Sequence, residues 1–271
     1  FIIFCSQSPD NILPTGSARI QSEIFNDKNI GLLDISLGCS GFVYSLSVAE
    51  SMIISKFAKN ILIITADTYS RFINEENLSV RTIFGDAASV TVVSGIKNKI
   101  NQIYLPDYGT DGNGIYDLIV PGSGLKDYET INKETNSRGL TKKLKNNELH
   151  MDGPKMFAFA LKSVPLTINK TLKKNKLKLS EIDLFIFHQA NKFMLESIGK
   201  KIKIPKTKLF ISLDKRGNTT SSSIPIAIYD AVKKLKIKKN MKICLCGFGV
   251  GLSWATTIIN LSPKLINNIL K

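Results

Sequence analysis

The sequence predicts an α/β protein built from two similar halves, and three observations support that prediction. The chain has 271 residues, of which 43% are hydrophobic, enough for a sizeable core and too many for a disordered chain. Short apolar runs alternate with stretches whose apolar residues recur every three or four positions, the patterns of buried strands and amphipathic helices. The same order of segments occurs twice along the chain. We therefore expect mixed sheets packed under helices.

Four pairs of segments carry the internal repeat, and they follow the same order in both copies. Each pair matches in its hydrophobic register. The pairs are FIIFCSQSPD from Phe1 with LFIFHQANKF from Leu184, LLDISLGCSGF from Leu32 with LFISLDKRGNT from Leu209, KNILIITAD from Lys59 with KNMKICLCG from Lys239, and FGDAASVTVVSG from Phe84 with GVGLSWATTIINLS from Gly249.

The repeat predicts two domains, a first half over residues 1–97 and a second half over residues 98–271. The second half opens with a long lead-in, residues 99–183, which has no counterpart in the first half. If the halves are duplicates, roughly 70–85 residues are absent before Phe1, and the chain is an N-terminally truncated fragment.

In the first half, FIIFC and LLDISL predict strands, and an apolar stripe at steps of four and three predicts the helix that follows. The stripe consists of Phe42, Leu46, Ala49, Ile53 and Phe57.

In the second half, a helix is expected to start at Asp152-Gly153-Pro154, and LFIF predicts a strand. A second apolar stripe predicts a later helix, with Pro225 in its first turn, where a missing N–H costs nothing. That stripe consists of Ile224, Ile228, Ala231 and Leu235.

Composition excludes several classes of function. The net charge is +15, but the lysines are scattered and no aromatic residues interleave with them, so we expect no nucleic-acid binding. The charge fits either a solvated surface or docking of an acidic partner. No apolar run approaches the roughly 18 residues of a membrane helix, and no signal peptide is recognisable. The four cysteines lack metal-site spacing, which predicts a cytoplasmic protein with reduced thiols and no metal.

Cys39 is the candidate nucleophile. It follows the predicted strand LLDISL, lies between Gly38 and Gly41, and opens a helix. Unpaired N–H groups at a helix N-terminus favour a thiolate, so we expect a lowered pKa for Cys39. The alternative is a small buried core residue.

His188 and Asn218 are the candidate partners of Cys39. His188 ends the strand LFIF, and Asn218 lies in RGNTTSSSIP, the counterpart of the Cys39 turn: Cys39 precedes Asn60 by 21 positions, and Asn218 precedes Asn240 by 22. If duplicated halves pack face to face, the three side chains converge as a nucleophilic set. Alternatively, His188 is structural and Asn218 forms a turn.

The motifs DISLGCSGF, FHQAN, RGNTTSSSIP, FGDAAS and GFGVGLSW resemble those of the β-ketoacyl-[acyl-carrier-protein] synthase III family, which are thiolase-like condensing enzymes. The resemblance covers about residues 1–260. It implies a thiolase-like fold, in which two duplicated βαβαβαββ halves form five layers, α-β-α-β-α, with the first half incomplete here.

The resemblance implies catalytic roles for Cys39, His188 and Asn218. Cys39 would take an acyl group from acyl-CoA, and decarboxylative Claisen condensation with malonyl-carrier protein would give 3-oxoacyl-carrier protein for fatty acid or related acyl biosynthesis, without a cofactor. The backbone N–H groups of Cys39 and Val250 would form the oxyanion hole. Val250 stands where the family often has Gly, but the backbone donor survives that change.

The resemblance also implies further binding residues and partners. Five positions would contact substrate: Gly153, Phe157, Asn191, Phe248 and Gly249. Lys200 and Lys201 would meet an acidic acyl carrier protein. The protein is expected to be a homodimer whose loop Ser6–Pro14 shapes the acyl pocket of the neighbouring subunit.

Three alternatives remain at this point. The chain could be an acyltransferase of the same fold that does not decarboxylate malonyl groups. It could be a cysteine peptidase, since Cys, His and Asn in that order also occur there. It could also be an inactive fragment.

Overall fold

The computed structural model describes residues 1–96, 102–125, 145–235 and 239–263. The predicted boundary between residues 97 and 98 lies outside the described residues, so the division into two domains stays a prediction. The strands are β1 (Ile2–Cys5), β2 (Leu32–Ile35), β3 (Asn60–Asp67), β4 (Ala87–Ser94), β5 (Asp107–Thr110), β6 (Leu118–Ile119), β7 (His150–Met151), β8 (Leu184–Phe187), β9 (Leu209–Phe210), β10 (Met241–Gly249) and β11 (Ser253–Leu261). The α-helices are α1 (Gly16–Ile24), α2 (Gly41–Ile54), α3 (Leu78–Arg81), α4 (Gly153–Lys174), α5 (Lys192–Lys201) and α6 (Ser223–Leu235).

Two mixed sheets reproduce the repeat that the sequence predicts. The first sheet has the order β2-β1-β3-β4, and the second has β9-β8-β10-β11-β5. In each, the first three strands run parallel and the fourth pairs antiparallel with the third. The strands of the two copies therefore occupy equivalent places, and β5 extends only the second sheet, where it pairs antiparallel with β11.

The two sheets and the helices form the five predicted layers. Between the sheets, a core cluster joins apolar side chains of α2 and α6 to both sheets, including Phe42, Ile63, Ile186 and Ile224. On the outer face of the second sheet, α4 and α5 pack in a second cluster. Apolar residues around α1 cover the outer face of the first sheet. Each sheet is thus apolar on both faces, as the near-continuous apolar text of its parallel strands predicts.

Helix α2 positions the candidate nucleophile, and its start depends on a glycine. A Cβ on Gly41 would lie only 2.3 Å from the Cys5 sulfur, so the turn packs against β1 only without a side chain there. The predicted stripe is correct as far as Ile53. It is wrong for Phe57, because α2 ends at Ile54 and the Phe57 ring is 82% exposed.

The helices of the second half start where their sequence signals place them. The Asp152 carboxylate accepts a hydrogen bond from the Lys155 N–H and caps α4, which has proline in its first turn. Pro225 lies in the first turn of α6. Leu235, the last residue of the predicted α6 stripe, is 43% exposed. Among the described residues, no helix is both long and apolar enough to span a bilayer.

Candidate active site

Cys39 lies in the tight connection between β2 and α2, and it is buried. The Gly41 N–H donates to the Gly38 carbonyl and closes the turn. On the other side, the thiol meets the end of β10: a Cβ added to Gly249 would lie 2.7 Å from the Cys39 sulfur. The sulfur therefore has room only because residue 249 has no side chain.

Two backbone N–H groups lie against the Cys39 sulfur, those of Val250 and of Cys39 itself. They are the same two groups that the sequence resemblance suggests as an oxyanion hole. Both N–H groups favour a negative charge next to the sulfur. They can therefore donate hydrogen bonds to an oxygen atom of a group that is attached to the sulfur.

The predicted lowering of the Cys39 pKa is wrong. Burial raises the pKa of the thiol to about 12, and the Asp67 carboxylate adds to the effect. The two backbone N–H groups favour the thiolate but do not offset the lost hydration. The resting group is therefore a thiol, because the helix N-terminus affects the pKa of Cys39 less than burial does.

His188 ends β8 and is buried. Its Nδ1 is 2.7 Å from the Ser223 hydroxyl, its ring meets the Phe248 ring edge-on at 5.6 Å, and it contacts the Thr220 carbonyl. Burial lowers the pKa of His188 to about 3, so the imidazole is neutral at neutral pH. A neutral ring carries one N–H, which can serve as a hydrogen-bond donor.

Asn218 is buried in the turn before α6, where the two halves meet. Its N–H donates to the Ile83 carbonyl at 2.8 Å, and its own carbonyl accepts from the Gly85 N–H at 2.9 Å. Its side-chain Oδ1 accepts from the Thr220 N–H at 3.0 Å. No hydrogen bond joins its Nδ2 to another residue of the described ranges, so that amide group can donate to a ligand.

The structure brings the three candidate residues together through short links. Phe248 and Gly249, consecutive at the end of β10, contact His188 and Cys39 respectively. Thr220 contacts both His188 and Asn218. The site thus combines a buried thiol, a neutral imidazole and a primary amide within one connected set of contacts.

Comparisons with known proteins identify the family. The chain matches the family models for 3-oxoacyl-[acyl-carrier-protein] synthase III over residues 33–112 and for its C-terminal domain over residues 172–261. It is 35% identical to a β-ketoacyl-[acyl-carrier-protein] synthase III of Clostridium tetani, over 95% of this chain and 76% of the relative. The chain belongs to the 3-oxoacyl-[acyl-carrier-protein] synthase III family.

Solved structures of synthase III agree with that membership. One 3-oxoacyl-(acyl-carrier-protein) synthase III structure is 35% identical with a TM-score of 0.89, covering 96% of this chain and 78% of the other. The enzyme from Aquifex aeolicus is 30% identical with a TM-score of 0.83, covering 96% and 76%. The cysteine peptidase alternative is therefore wrong, and the thiolase-like fold class is confirmed.

In this synthase III chain, the other three predicted substrate residues lie in the first turns of α4 and at the start of α5. Gly153 begins α4 and has open space where a side chain would be. Phe157, on the same helix, stacks on Phe193 with ring centroids 5.3 Å apart. The Asn191 side chain accepts from the Met194 N–H and caps α5. Their roles in binding substrate stay predictions.

Lys200 and Lys201 lie in the last turn of α5, and both are exposed. They are therefore available to a partner.

A small cavity of about 90 Å³ opens beside the turn that carries Cys39. Gln7 and Val250 form its end next to the Cys39 turn, and a Cβ on Gly38 would meet both of their side chains. The Tyr69 hydroxyl donates to Gln7 Oε1 at 2.7 Å. The lining residues are Gln7, Tyr69, Phe72, Leu118, Ile119, Val120, Ser123, Leu149 and Val250.

Sequence reasoning missed four site residues: Gln7, Asp67, Tyr69 and Ser223. Asp67 ends β3 of the first sheet, at the repeat position that Gly247 of β10 occupies in the second sheet, so a carboxylate after the apolar run NILIITA was a signal that the repeat could have supplied. Ser223 lies within the recognised motif RGNTTSSSIP, but the motif does not show which of its serines contacts His188. Gln7 and Tyr69 have no local pattern that marks them, because only the packing of the halves brings them to the cavity.

Proposed function

We propose that the chain catalyses decarboxylative condensation of an acyl-CoA with malonyl-carrier protein. The observation that carries the proposal is the environment of the buried Cys39 thiol. Gly249 leaves room for the sulfur, two backbone N–H groups face it, and a neutral imidazole belongs to the same site. Family membership supports the same reaction.

In the first stage, the Cys39 sulfur attacks the carbonyl carbon of the acyl-CoA thioester. The carbon–sulfur bond to CoA breaks, acyl-Cys39 forms, and the thiol proton leaves with CoA. The N–H groups of Val250 and Cys39 stabilise the negative oxygen of the tetrahedral intermediate, each such donor contributing about 3 kcal/mol.

In the second stage, malonyl-carrier protein loses CO₂ and an enolate forms at its thioester. His188 and Asn218 donate hydrogen bonds to the enolate oxygen. His188 can donate from Nε2 when the Ser223 hydroxyl donates to Nδ1, and its low pKa keeps it a neutral donor. The enolate carbon then attacks acyl-Cys39, the carbon–sulfur bond breaks, and 3-oxoacyl-carrier protein leaves. The departing Cys39 thiolate takes up a proton from solvent, which restores the thiol.

The cavity supports a short acyl primer. Its volume is about 90 Å³, whereas an apolar protein cavity of about 150 Å³ accommodates benzene. A chain of two to about four carbons is therefore the class that fits, with the Tyr69–Gln7 hydrogen bond bordering its polar end.

We also propose two interactions of the working enzyme. Lys200 and Lys201 form a cationic pair that suits an acidic carrier protein. The exposed apolar side chains of Ile12 and Leu13, at 65% and 83%, suit burial against a second copy of the chain. The segment Ser6–Pro14 would then border the acyl pocket of the partner subunit.

The experiment that tests the reaction separates its two stages. The protein is incubated with acetyl-, butyryl- and octanoyl-CoA, and peptide mass spectrometry locates the acyl group. Malonyl-carrier protein carrying a labelled free carboxyl is then added, and labelled CO₂ is measured. We expect acylation of Cys39 by the two shorter substrates, and CO₂ release.

Acyl transfer without CO₂ release would instead favour the non-decarboxylating acyltransferase. No labelling of Cys39 by any substrate would favour an inactive chain. The variant Cys39→Ala is the control, since it removes the acceptor sulfur.

A further inference from the structure

Asp67 is a buried carboxylate that the proposed reaction does not use. It ends β3 and is only 2% exposed. An ionisable group is rarely buried to this extent without partners, so its hydrogen bonds are informative.

Four donors converge on the two oxygens of Asp67. Oδ1 accepts from the Gln7 N–H at 2.8 Å. Oδ2 accepts from the Ser221 N–H at 3.1 Å and from the hydroxyls of Thr220 and Ser221, each at 2.5 Å. Burial raises the pKa of the Asp67 carboxyl, and the hydrogen bonds from Ser221, Thr220 and Gln7 oppose that rise. Both oxygens accept from a backbone N–H, which can only donate, so this pattern favours the ionised carboxylate.

The donors come from both halves of the molecule. Gln7 follows β1 in the first half and borders the cavity, whereas Thr220 and Ser221 lie in the turn that carries Asn218. The contact with Ser221 spans 154 residues of sequence. Asp67 therefore ties the Cys39 half to the turn of the second half.

Thr220 connects Asp67 to His188 and Asn218, the two proposed hydrogen-bond donors of the site. Its N–H donates to Asn218 Oδ1, and its carbonyl meets the His188 ring. Thr220 has φ +47°, a left-handed conformation that a β-branched residue adopts only when its surroundings impose it. The hydrogen bond from its hydroxyl to Asp67 is the contact that can impose it.

We propose that Asp67 is a positioning residue of the condensation reaction, which holds the Thr220 turn so that Asn218 and His188 face the thioester, and which places a negative charge beside Cys39. The inference rests on the proposed function. It assigns two separable effects to one side chain, one through hydrogen bonds and one through charge.

A short path of contacts places the Asp67 charge near Cys39: Asp67 accepts from the Gln7 N–H, and the Gln7 side chain packs against Gly38, the residue before Cys39. The charge effect has a defined sign. The described ionisable groups that act on the Cys39 thiol are Asp67 on β3, Cys5 on β1 and Tyr69 after β3. Cys5 and Tyr69 are themselves held protonated by burial, which raises the pKa of Cys5 to about 12 and that of Tyr69 well above its usual value. Asp67 is therefore the group whose removal should make the thiolate easier to form.

The experiment compares Asp67→Asn, Thr220→Val and Thr220→Ser with the wild-type chain. Three quantities are measured: the pH dependence of Cys39 alkylation by iodoacetamide, the rate of acylation by acetyl-CoA, and CO₂ release from malonyl-carrier protein. For Asp67→Asn we expect the alkylation profile to move about one pH unit lower and CO₂ release to fall at least tenfold.

The threonine variants separate the two effects. Thr220→Val removes the hydroxyl and leaves the charge, so CO₂ release should fall while the alkylation profile stays in place. Thr220→Ser keeps the hydroxyl and should retain most of the CO₂ release.

Asp34→Asn is the matched control, because Asp34 also accepts two backbone N–H groups, from Gly16 and Ser17, but does so at the start of α1. An unchanged alkylation profile in Asp67→Asn, or losses equal to those of Asp34→Asn and in proportion to thermal stability, would overturn the inference. If the wild-type chain neither acylates Cys39 nor releases CO₂, the proposed function fails instead.

Discussion

At the scale of single residues, the environment of Cys39 is a balance between burial and backbone donors. Burial and Asp67 raise the pKa of the thiol to about 12, while the N–H groups of Val250 and Cys39 oppose that rise. A thioester carbonyl seated on the same two N–H groups would gain the stabilisation that they give the sulfur at rest. The site is therefore better suited to the charge that develops during reaction than to a standing thiolate.

Gly249→Ala tests whether the narrow space at the sulfur is required. Its Cβ would lie 2.7 Å from the Cys39 sulfur and 2.8 Å from the Cys39 Cβ. A displacement of the nucleophile by about 1 Å can cost about 100-fold in rate, so we expect a loss of that order in acyl transfer. Gly112→Ala is the control, because a Cβ there has no neighbour within 4 Å. Equal activity of both variants would contradict the prediction.

His188 predicts a loss of stability in acid. Its pKa is about 3 in the folded protein against 6.5 unperturbed, so the folded state resists protonation and the unfolded state does not. This contribution to the free energy of unfolding is complete above pH 6.5 and falls by about 1.4 kcal/mol per pH unit below it, so that about 3 kcal/mol of it is lost by pH 4.

Urea unfolding between pH 7 and pH 4 measures that slope. His188→Gln should remove this part of the pH dependence. A wild-type slope that His188→Gln does not change would show that His188 is already charged in the folded state.

At the scale of elements, α5 connects the site to the surface. It begins four residues after His188, capped by Asn191, and ends with the exposed pair Lys200 and Lys201. A rigid helix therefore separates the imidazole from the proposed docking cations by a constant distance. This arrangement lets a carrier protein bind the helix end without contact at the catalytic residues.

Lys200→Glu with Lys201→Glu should weaken carrier-protein docking alone. We expect the KM for malonyl-carrier protein to rise about tenfold at low salt, and less at high salt, because exposed charges are screened. Acylation by acetyl-CoA should stay unchanged. Lys233→Glu with Lys234→Glu, a cationic pair in the last turn of α6, is the control. A similar rise in both double variants would assign the effect to net charge.

At the scale of the whole molecule, the two halves share one topology, and the site lies where they meet. Phe84 of the first half forms an isolated bridge with Asn218 of the second, and Ser40 at the start of α2 hydrogen bonds to Ser253 at the start of β11. Contacts of this kind fix the position of Cys39 relative to His188 and Asn218. The activity therefore depends on the packing of both halves.

Leu13→Asp tests the proposed homodimer. Leu13 is 83% exposed in the single chain, and we expect its burial against a second copy. The charged variant should shift the mass measured by sedimentation from dimer toward monomer. Phe57→Asp, at an 82% exposed ring after α2, should leave the mass unchanged. A monomeric wild-type chain would contradict the proposal.

The fold class, the repeat and the three candidate residues of the site could all be predicted from local patterns in the sequence. The positions of the strands and the starts of the helices follow from apolar periodicity and capping residues, which are local signals. Cys39, His188 and Asn218 could be named because each lies in a contiguous motif, and the repeat related the two turns. Phe57 was placed wrongly because an apolar step continues beyond the residue at which α2 ends.

The electrostatics and the shape of the site could not be predicted from the sequence, because both depend on how distant segments pack. The high pKa of Cys39 arises from burial between two sheets. The hydrogen bonds of Asp67 join segments that lie 154 residues apart in the sequence. The cavity of about 90 Å³ collects side chains from both halves. Desolvation and long-range packing depend on which surfaces come together in space, and periodicity along the chain does not encode that.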